Sequence, residues 1–321
     1  MLVLSAVSLA AGGNPPRKQM FFDRDIESEQ PAVPFVDPTD GLAYRLPNDT
    51  FPIHYDIYLE TNIHSGDFAF KGNVEILLEA REKISTITLH YRQIQINQID
   101  LLTENSENIE TEIQFALDEA VDFLFIPTKD PLEIGTKYKV KIQYEGTLRT
   151  DDAGFYRSSY KNPQGETVWL ATTQFESTDA RHGFPCYDEP SIKATYTISL
   201  KHHASYKAIS NMPEESSLPV IGTDYVITKF QESFKFQSYL VAFVISNYDF
   251  IASVGAKLPQ RVFATPEQVS GGFVDFALEY GTKAIEALEN YLGVDFLLPK
   301  IDQIAIPDFA AGAMENYGEY V

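Results

Sequence analysis

The five residues Gly312-Ala313-Met314-Glu315-Asn316 lie near the end of the 321-residue chain and place one carboxylate among small side chains. A carboxylate binds a cation through charge-assisted hydrogen bonds, most strongly where little water is present. The alternative is a solvated loop acid, because acidic side chains are mostly exposed in folded proteins. Taken alone, these five residues leave both roles open.

The histidines and the single cysteine do not form a recognisable metal or nucleophile motif. None of the six histidines stands in an HExxH pattern; they are His54, His64, His90, His182, His202 and His203. His202 and His203 are neighbours on a predicted strand, so they face opposite sides and would not chelate one metal. Cys186 excludes an internal disulfide and a cysteine-based metal cluster. Because nothing near it would activate a thiol, we expect Cys186 to be a buried small hydrophobe.

The bulk composition is that of a folded, acidic protein. Hydrophobic residues make up 44% of the chain and charged residues 22%, which excludes disorder of the whole chain. Its length suits one large domain or two ordinary ones. The formal net charge of −21 argues against nucleic-acid binding, because no surplus of Lys and Arg exists to displace counterions.

The N-terminus has the features of an export signal. Residues 1–11 carry an apolar run, with small residues that suit cleavage after Ala10. Residues 12–43 are rich in proline and charge and predict a flexible leader. The sequon at Asn48 fits a glycoprotein of the secretory route. We therefore expect an extracellular or cell-surface location, and no segment predicts a membrane span.

Residues 44–255 show the pattern of a β-rich domain. Short segments such as "PIHYDIYLE", "FKGNVEILLEA", "KYKVKIQYEG" and "SYLVAFVISNYDFIAS" alternate apolar and polar residues and are rich in Val, Ile, Tyr and Phe. Because no helical pattern separates these segments, they predict a mainly β, antiparallel sandwich or saddle-shaped sheet.

Residues 256–321 change to a β-α-β pattern. The segment Thr265-Pro266-Glu267 supplies a helix N-cap, and Gly293 supplies the C-terminal end. Between them apolar residues recur at steps of three and four, namely Phe273, Ala277, Tyr280, Ala284 and Leu288. The segment "KIDQIAIP" then predicts a strand. About 65 residues are too few for a good core, so we expect the apolar helix face to lack most of its partner.

Four blocks in order resemble the zinc aminopeptidases of the aminopeptidase N family. They are "YRLPNDTFPIHYDIYL", "TTQFESTDARHGFPCYDEPSIKATYTISL", "YLVAFVISNYDF" and the exopeptidase motif "GAMEN". The resemblance covers nearly all of Tyr44–Val321. It implies an N-terminal β domain followed by the first, incomplete part of a thermolysin-like α+β catalytic domain.

The resemblance also implies roles for particular residues. Glu315 matches the position that binds the substrate's α-ammonium group, and Glu176 matches a β-domain position that assists it. Gly312, Ala313 and Met314 belong to the motif, and the first two are small enough for an extended peptide to lie against the backbone. The expected partner is a peptide with a free N-terminus.

Glu176 has a second interpretation. Asp179 and Arg181 lie close to it in the sequence, so the alternative is a surface ion-pair cluster of all three residues.

In the resembling family, zinc is held by HExxH and a downstream glutamate, and an oxyanion-stabilising tyrosine follows. These elements would lie beyond Val321, so the chain resembles an enzyme truncated after the amine anchor. We expect it to bind no zinc, contain no catalytic residues and be inactive alone. The alternative is a secreted, non-catalytic β-rich module that binds peptides. An HExxH sequence in a continuing reading frame would distinguish the two.

Overall fold

The computed structural model describes residues 44–321, which form strands, two α-helices and short 3-10 turns. The predicted signal (1–11) and leader (12–43) lie outside the described residues. The strands are β1 (Thr50–Thr61), β2 (Ala69–Ala80), β3 (Ile84–His90), β4 (Gln95–Thr103), β5 (Asn108–Glu110), β6 (Ala116–Asp118), β7 (Phe123–Leu132), β8 (Lys137–Thr147), β9 (Gly154–Lys161), β10 (Thr167–Gln174), β11 (Thr195–His203), β12 (Lys207–Ser210), β13 (Glu214–Pro219), β14 (Tyr225–Phe230), β15 (Phe243–Ser246), β16 (Asp249–Ala252), β17 (Gln260–Ala264), β18 (Ile301–Ile304) and β19 (Glu319–Tyr320). The helices are α1 (Pro266–Ser270) and α2 (Asp275–Leu292).

The largest sheet has the strand order β13-β14-β11-β1-β2-β8-β4-β5. Two smaller sheets of the N-terminal part have the orders β12-β15-β10-β9 and β3-β7-β6. The mainly β prediction is therefore confirmed. In the largest sheet every neighbouring pair is antiparallel except β1 and β11, which run parallel with Ile57 opposite Ile198.

Strand alternation builds the main hydrophobic core. Tyr55, Ile57 and Leu59 of β1 are each at most 1% exposed, and Ile57 lies opposite the buried Val74 of β2. Successive side chains of a strand point to opposite faces, so this period of two directs one face of the sheet inward. Burying each such side chain contributes about 1.5–3 kcal/mol.

The predicted closing strand "SYLVAFVISNYDFIAS" is not continuous. It divides into a 3-10 turn at Ser238–Leu240, then β15, then β16. β15 pairs with β10 and β12, whereas β16 pairs with β17 in a separate sheet of order β16-β17-β18-β19. The domain boundary near residue 255 stays a prediction.

The β-α-β pattern is present, but its helix is interrupted. β17 and β18 run parallel, as expected for strands joined by a helical crossover. Thr265 and Gln268 form a capping box at the start of α1, and Gly293 ends α2 in the left-handed conformation at φ 67°. The chain turns at Gly271 and Gly272, so α1 and α2 are separate helices.

Helix α2 packs with only a small part of the predicted apolar stripe. Val274, just before the helix, is 7% exposed and forms a small cluster with β17 that Leu278 and the stripe residue Ala277 join. Of the predicted stripe, Phe273 and Tyr280 are 78% and 63% exposed. Within residues 44–321 most of the stripe therefore lacks a packing partner, because only Ala277 of the stripe joins the cluster with β17.

Candidate functional site

The segment that carries Glu315 is held in place by the residue before it. Met314 is 2% exposed and belongs to the main core. Its N–H donates to the Val321 carbonyl at 2.9 Å, and the Val321 N–H donates back at 3.2 Å. Glu315 is exposed beside this buried anchor. The predicted binding residue Met314 thus lies in the core, where it positions Glu315.

A close backbone approach fixes the other end of the loop. Gly318 has φ 75°, and a Cβ atom there would lie 2.2 Å from the Asn211 carbonyl oxygen. Only glycine suits both conditions. The Asn211 side chain donates to the carbonyls of Tyr317 at 3.0 Å and Leu240 at 2.8 Å. The loop is therefore docked on the segment that follows β12.

Glu176 and Glu315 both raise the pKa of one tyrosine, although 139 positions separate them. Burial raises the pKa of Tyr239, and the carboxylates of Glu176 and Glu315 raise it further, as does Tyr317. Both glutamates are exposed. Within residues 44–321 neither one makes an ion pair or a side-chain hydrogen bond. The fold therefore brings two uncompensated carboxylates to the neighbourhood of Tyr239.

Arg181 does not join Glu176 in an ion-pair cluster. Its Nε donates to Asp188 Oδ2 at 3.0 Å, and its Nη1 lies 3.3 Å from Asp122 Oδ2. Arg181 and Asp188 are both buried. The neighbouring Asp179 faces His182 at 3.1 Å. The surface-cluster interpretation of Glu176 is therefore wrong.

The small residues of the motif leave open space. Gly312 and Ala313 are exposed, and a Cβ atom added to Gly312 would meet nothing within 4 Å. In the described structure, residues 309–313 make no backbone–backbone hydrogen bond. Unpaired backbone groups of this kind can accept an added peptide strand.

A buried charged cluster supports the loop from beneath. Lys300 Nζ donates to Asp302 Oδ2 at 2.6 Å and to the Gly318 carbonyl at 2.8 Å, and it also donates to the Ser210 carbonyl. Arg261 holds Asp302 through two hydrogen bonds of 2.7 and 2.6 Å. Burial lowers the pKa of Lys300, and Asp302 opposes this shift. Lys300 thereby ties the loop to β12.

Glu319 is the anomaly of this cluster. It is 0% exposed, and neither carboxylate oxygen has a hydrogen-bond partner among residues 44–321. Burial raises its pKa to about 7, although Lys300 favours the charged form. Glu319 can therefore change charge near neutral pH directly behind the loop.

Sequence reasoning identified Glu315 and Glu176 but missed the groups around them. Tyr239 gave no signal, because its segment was interpreted as strand. Lys300 and Asp302 gave a weak signal, because they are charged residues in the otherwise largely apolar segment "KIDQIAIP".

The zinc implied by the resemblance finds no fitting site among the described residues. No three histidine, cysteine or acidic side chains come together there as a metal-ligand group. His202 is buried and hydrogen-bonded to Thr228 at 2.9 Å, whereas His203 contacts Ser205. Cys186 is fully buried, as predicted. We therefore assign no chemical step to a metal held by this chain.

The predicted glycosylation position is at the surface. Asn48 is exposed in the turn before β1, whereas Thr50 is buried and accepts a hydrogen bond from the Tyr187 hydroxyl at 2.8 Å. Across residues 44–321, no helix has the length and apolar character needed to cross a membrane.

Comparison with known proteins places these features in one family. Residues 51–240 match the Peptidase M1 N-terminal domain, and residues 276–321 match the Peptidase family M1 domain.

Individual relatives agree with this match. Endoplasmic reticulum aminopeptidase 1 of Homo sapiens is 36% identical over 85% of this chain and 29% of its own length. Aminopeptidase A of Gloydius brevicauda is 35% identical (86% and 28%), and the alanine/arginine aminopeptidase of Saccharomyces cerevisiae is 34% identical (85% and 31%). The chain thus spans less than a third of each relative's length. It belongs to the peptidase M1 family.

Proposed function

We propose that this chain supplies the N-terminal β-rich part and the substrate-amine anchor of a zinc aminopeptidase that removes N-terminal residues from peptides. The observation that carries the proposal is that Glu176 and Glu315, both exposed and without an ion pair within residues 44–321, both raise the pKa of Tyr239. Its support is the resemblance of both positions to the family's amine-binding glutamates.

The chemistry of the site suits a peptide N-terminus. An α-ammonium group has three donors and one positive charge, which two carboxylates can share through charge-assisted hydrogen bonds. The open backbone at Gly312 and Ala313 can pair with the extended peptide that follows the amine. A peptide held by its amine in this way would have its first peptide bond beside the loop, as an exopeptidase requires.

The zinc chemistry belongs to residues that this chain does not contain. A zinc ion in such an enzyme activates water for attack on the peptide carbonyl. No HExxH sequence occurs in the 321 residues. The chain alone therefore binds the amine without hydrolysing the peptide. The alternative function, a non-catalytic peptide-binding module, uses the same site, and an HExxH sequence in the reading frame would exclude it.

A binding experiment tests the amine anchor directly. Titrating the isotope-labelled chain with tri-alanine amide, followed by nuclear magnetic resonance, should give saturable shifts. N-acetylated tri-alanine amide should bind at least tenfold more weakly, because it has no cation. Glu315→Gln should remove this preference, whereas Glu286→Gln, a change at an exposed acid of α2, should keep it. Equal affinity for both peptides in the unmodified chain would refute the proposal.

We also propose a secretory route with a glycan on Asn48. The support is the N-terminal signal pattern and the exposed position of Asn48. Expression in insect cells should yield secreted protein whose mass falls after glycosidase treatment. Asn48→Gln should abolish that mass change, and an unchanged mass in the wild-type chain would contradict the assignment.

A further inference from the structure

A cavity of about 330 Å³ lies at the connection between β8 and β9. Its ionisable lining residues are Arg149, Arg157 and His182, with no acidic side chain among them. This is unusual for a chain with 46 acidic and 25 basic residues. The volume falls within the range of small-molecule sites, about 300–1,000 Å³. The cavity is therefore a local concentration of hydrogen-bond donors on an acidic protein.

Arg157 is held rigidly, but its donors are unused. Its guanidinium carbon lies 3.7 Å from the centre of the Phe68 ring and 5.8 Å from that of Trp169. Within the described part of the chain its side chain makes no ion pair or hydrogen bond. A stacked guanidinium presents its N–H groups edge-on in a planar fork that matches carboxylate or phosphate oxygens.

Arg149 differs, because a carboxylate already neutralises it. Its Nε donates to Asp151 Oδ1 at 2.9 Å, and its remaining guanidinium nitrogens contact Asp151 and Gln93. Arg149 lowers the pKa of Asp151 through these hydrogen bonds. Arg149 thus shapes the wall, and Arg157 is the cation left to bind a ligand.

His182 is the second unsatisfied group of the cavity wall. Its side chain is 2% exposed, and Nε2 is buried without a hydrogen-bond partner in the described part of the chain. Nδ1 lies 3.1 Å from Asp179 Oδ1, but the geometry of this contact is not that of a hydrogen bond. A Cβ atom on Gly154 would lie 2.8 Å from His182 Cβ, so the close backbone fixes the ring's position. A buried, unpartnered nitrogen is costly unless another group satisfies it.

We propose that this cavity binds a small oxyanion of the phosphate or carboxylate class. The Arg157 fork donates to two oxygens of the anion, and His182 Nε2–H donates to another. Phe68 and Trp169 keep the guanidinium in place, which reduces the entropy lost on binding. The site uses neither Glu176 nor Glu315, so its test does not depend on the proposed amine anchor.

The chain carries its own reporter for this site. Trp169 is the only tryptophan and lies beside Arg157. Inorganic phosphate, titrated at constant ionic strength, should change its fluorescence saturably and raise the thermal unfolding midpoint. A parallel titration with succinate tests the carboxylate class, and chloride sets the baseline. Arg157→Met should weaken binding at least tenfold, because a charge-assisted donor pair is lost.

Arg81→Met provides the matched control. Arg81 also stacks over an aromatic ring, 4.0 Å from the centre of Phe51, but it does not line the cavity. If Arg157→Met does not fold, Arg157→Lys takes its place, since lysine keeps the charge and loses the fork. A saturable response to either anion that the Arg157 variant loses and Arg81→Met keeps supports the proposal. A response no greater than that to chloride, or one unchanged in the Arg157 variant, overturns it.

Discussion

At the scale of single residues, the proposed amine anchor consists of two acids whose surroundings differ. Glu315 follows the buried anchor Met314 and lies next to the open backbone of Gly312 and Ala313. Glu176 follows β10 and approaches Tyr239 from a different part of the chain. Because only Glu315 is continuous with the proposed peptide-binding edge, the two carboxylates should contribute unequally.

We predict that Glu315→Ala weakens binding of a free-amine peptide more than Glu176→Ala does. Removing one charge-assisted hydrogen bond costs about 1.5–3 kcal/mol, or roughly ten- to a hundredfold in affinity. The Glu176 variant should fall at the low end, since Glu315 still holds the amine. The measurement is the dissociation constant of tri-alanine amide for each variant. Weak binding of the acetylated peptide should be unchanged in both, and a larger loss in Glu176→Ala would reverse the assignment.

Glu319 should make stability depend on pH. Its pKa is about 7 in the folded protein against an ordinary value of 4.5. Between these values the folded state keeps a proton that the unfolded state has released, so the stabilisation is fully present below about pH 4.5 and is lost as the pH rises to about 7. The gap corresponds to about 3 kcal/mol at most, at 1.36 kcal/mol per pH unit.

Denaturant unfolding at pH 5 and pH 8 measures this effect. The fall in unfolding free energy between these pH values should be smaller in Glu319→Gln, which cannot ionise, than in the wild-type chain. Glu286→Gln, at an exposed position, should show the wild-type fall. Identical pH dependence in wild type and Glu319→Gln would mean that Glu319 ionises without cost.

At the scale of elements, α2 has little packing support within residues 44–321. It packs on β17 through Ala277, Leu278 and the preceding Val274, while Phe276 is 73% exposed. In proteins most of a helix's stability comes from burying one face. An exposed apolar stripe therefore leaves α2 prone to local opening.

We predict that, within residues 44–321, limited trypsin digestion cuts first beyond Ser253. Lys257 and Lys283 are exposed there and lie on or beside α2. By contrast, Lys201 lies within β11 between β1 and β14, where the sheet keeps the backbone paired. Mass spectrometry of early fragments identifies the cuts. A first cut inside β1 to β15 would contradict the prediction.

At the scale of the whole molecule, the described residues 44–321 combine a proposed amine anchor with no metal-ligand group. We predict that the purified, dialysed chain holds no stoichiometric zinc, because it has neither HExxH nor a cysteine set. Elemental analysis by mass spectrometry provides the measurement. One tightly bound zinc per chain would show that the histidines and acids form a site that their spacing does not reveal.

Local patterns made much of the fold predictable. The alternation in β1, the capping box at Thr265 and the terminating Gly293 depend on near neighbours, and the structure contains all three. The continuous strand predicted through Tyr239 was wrong. Periodicity alone did not reveal that β15 and β16 enter different sheets, because that choice depends on distant partners.

By itself the sequence determined the mainly β architecture, the family and the motif that carries Glu315. These follow from side-chain alternation and from residue identity, which are local properties. Only the tertiary structure decided that Glu176 and Glu315, 139 positions apart, both raise the pKa of Tyr239, and that Lys300 donates to the Ser210 carbonyl, 90 positions before it. These interactions join residues that are far apart in the sequence. Long-range packing of the sheets sets them, and no sequence period records it.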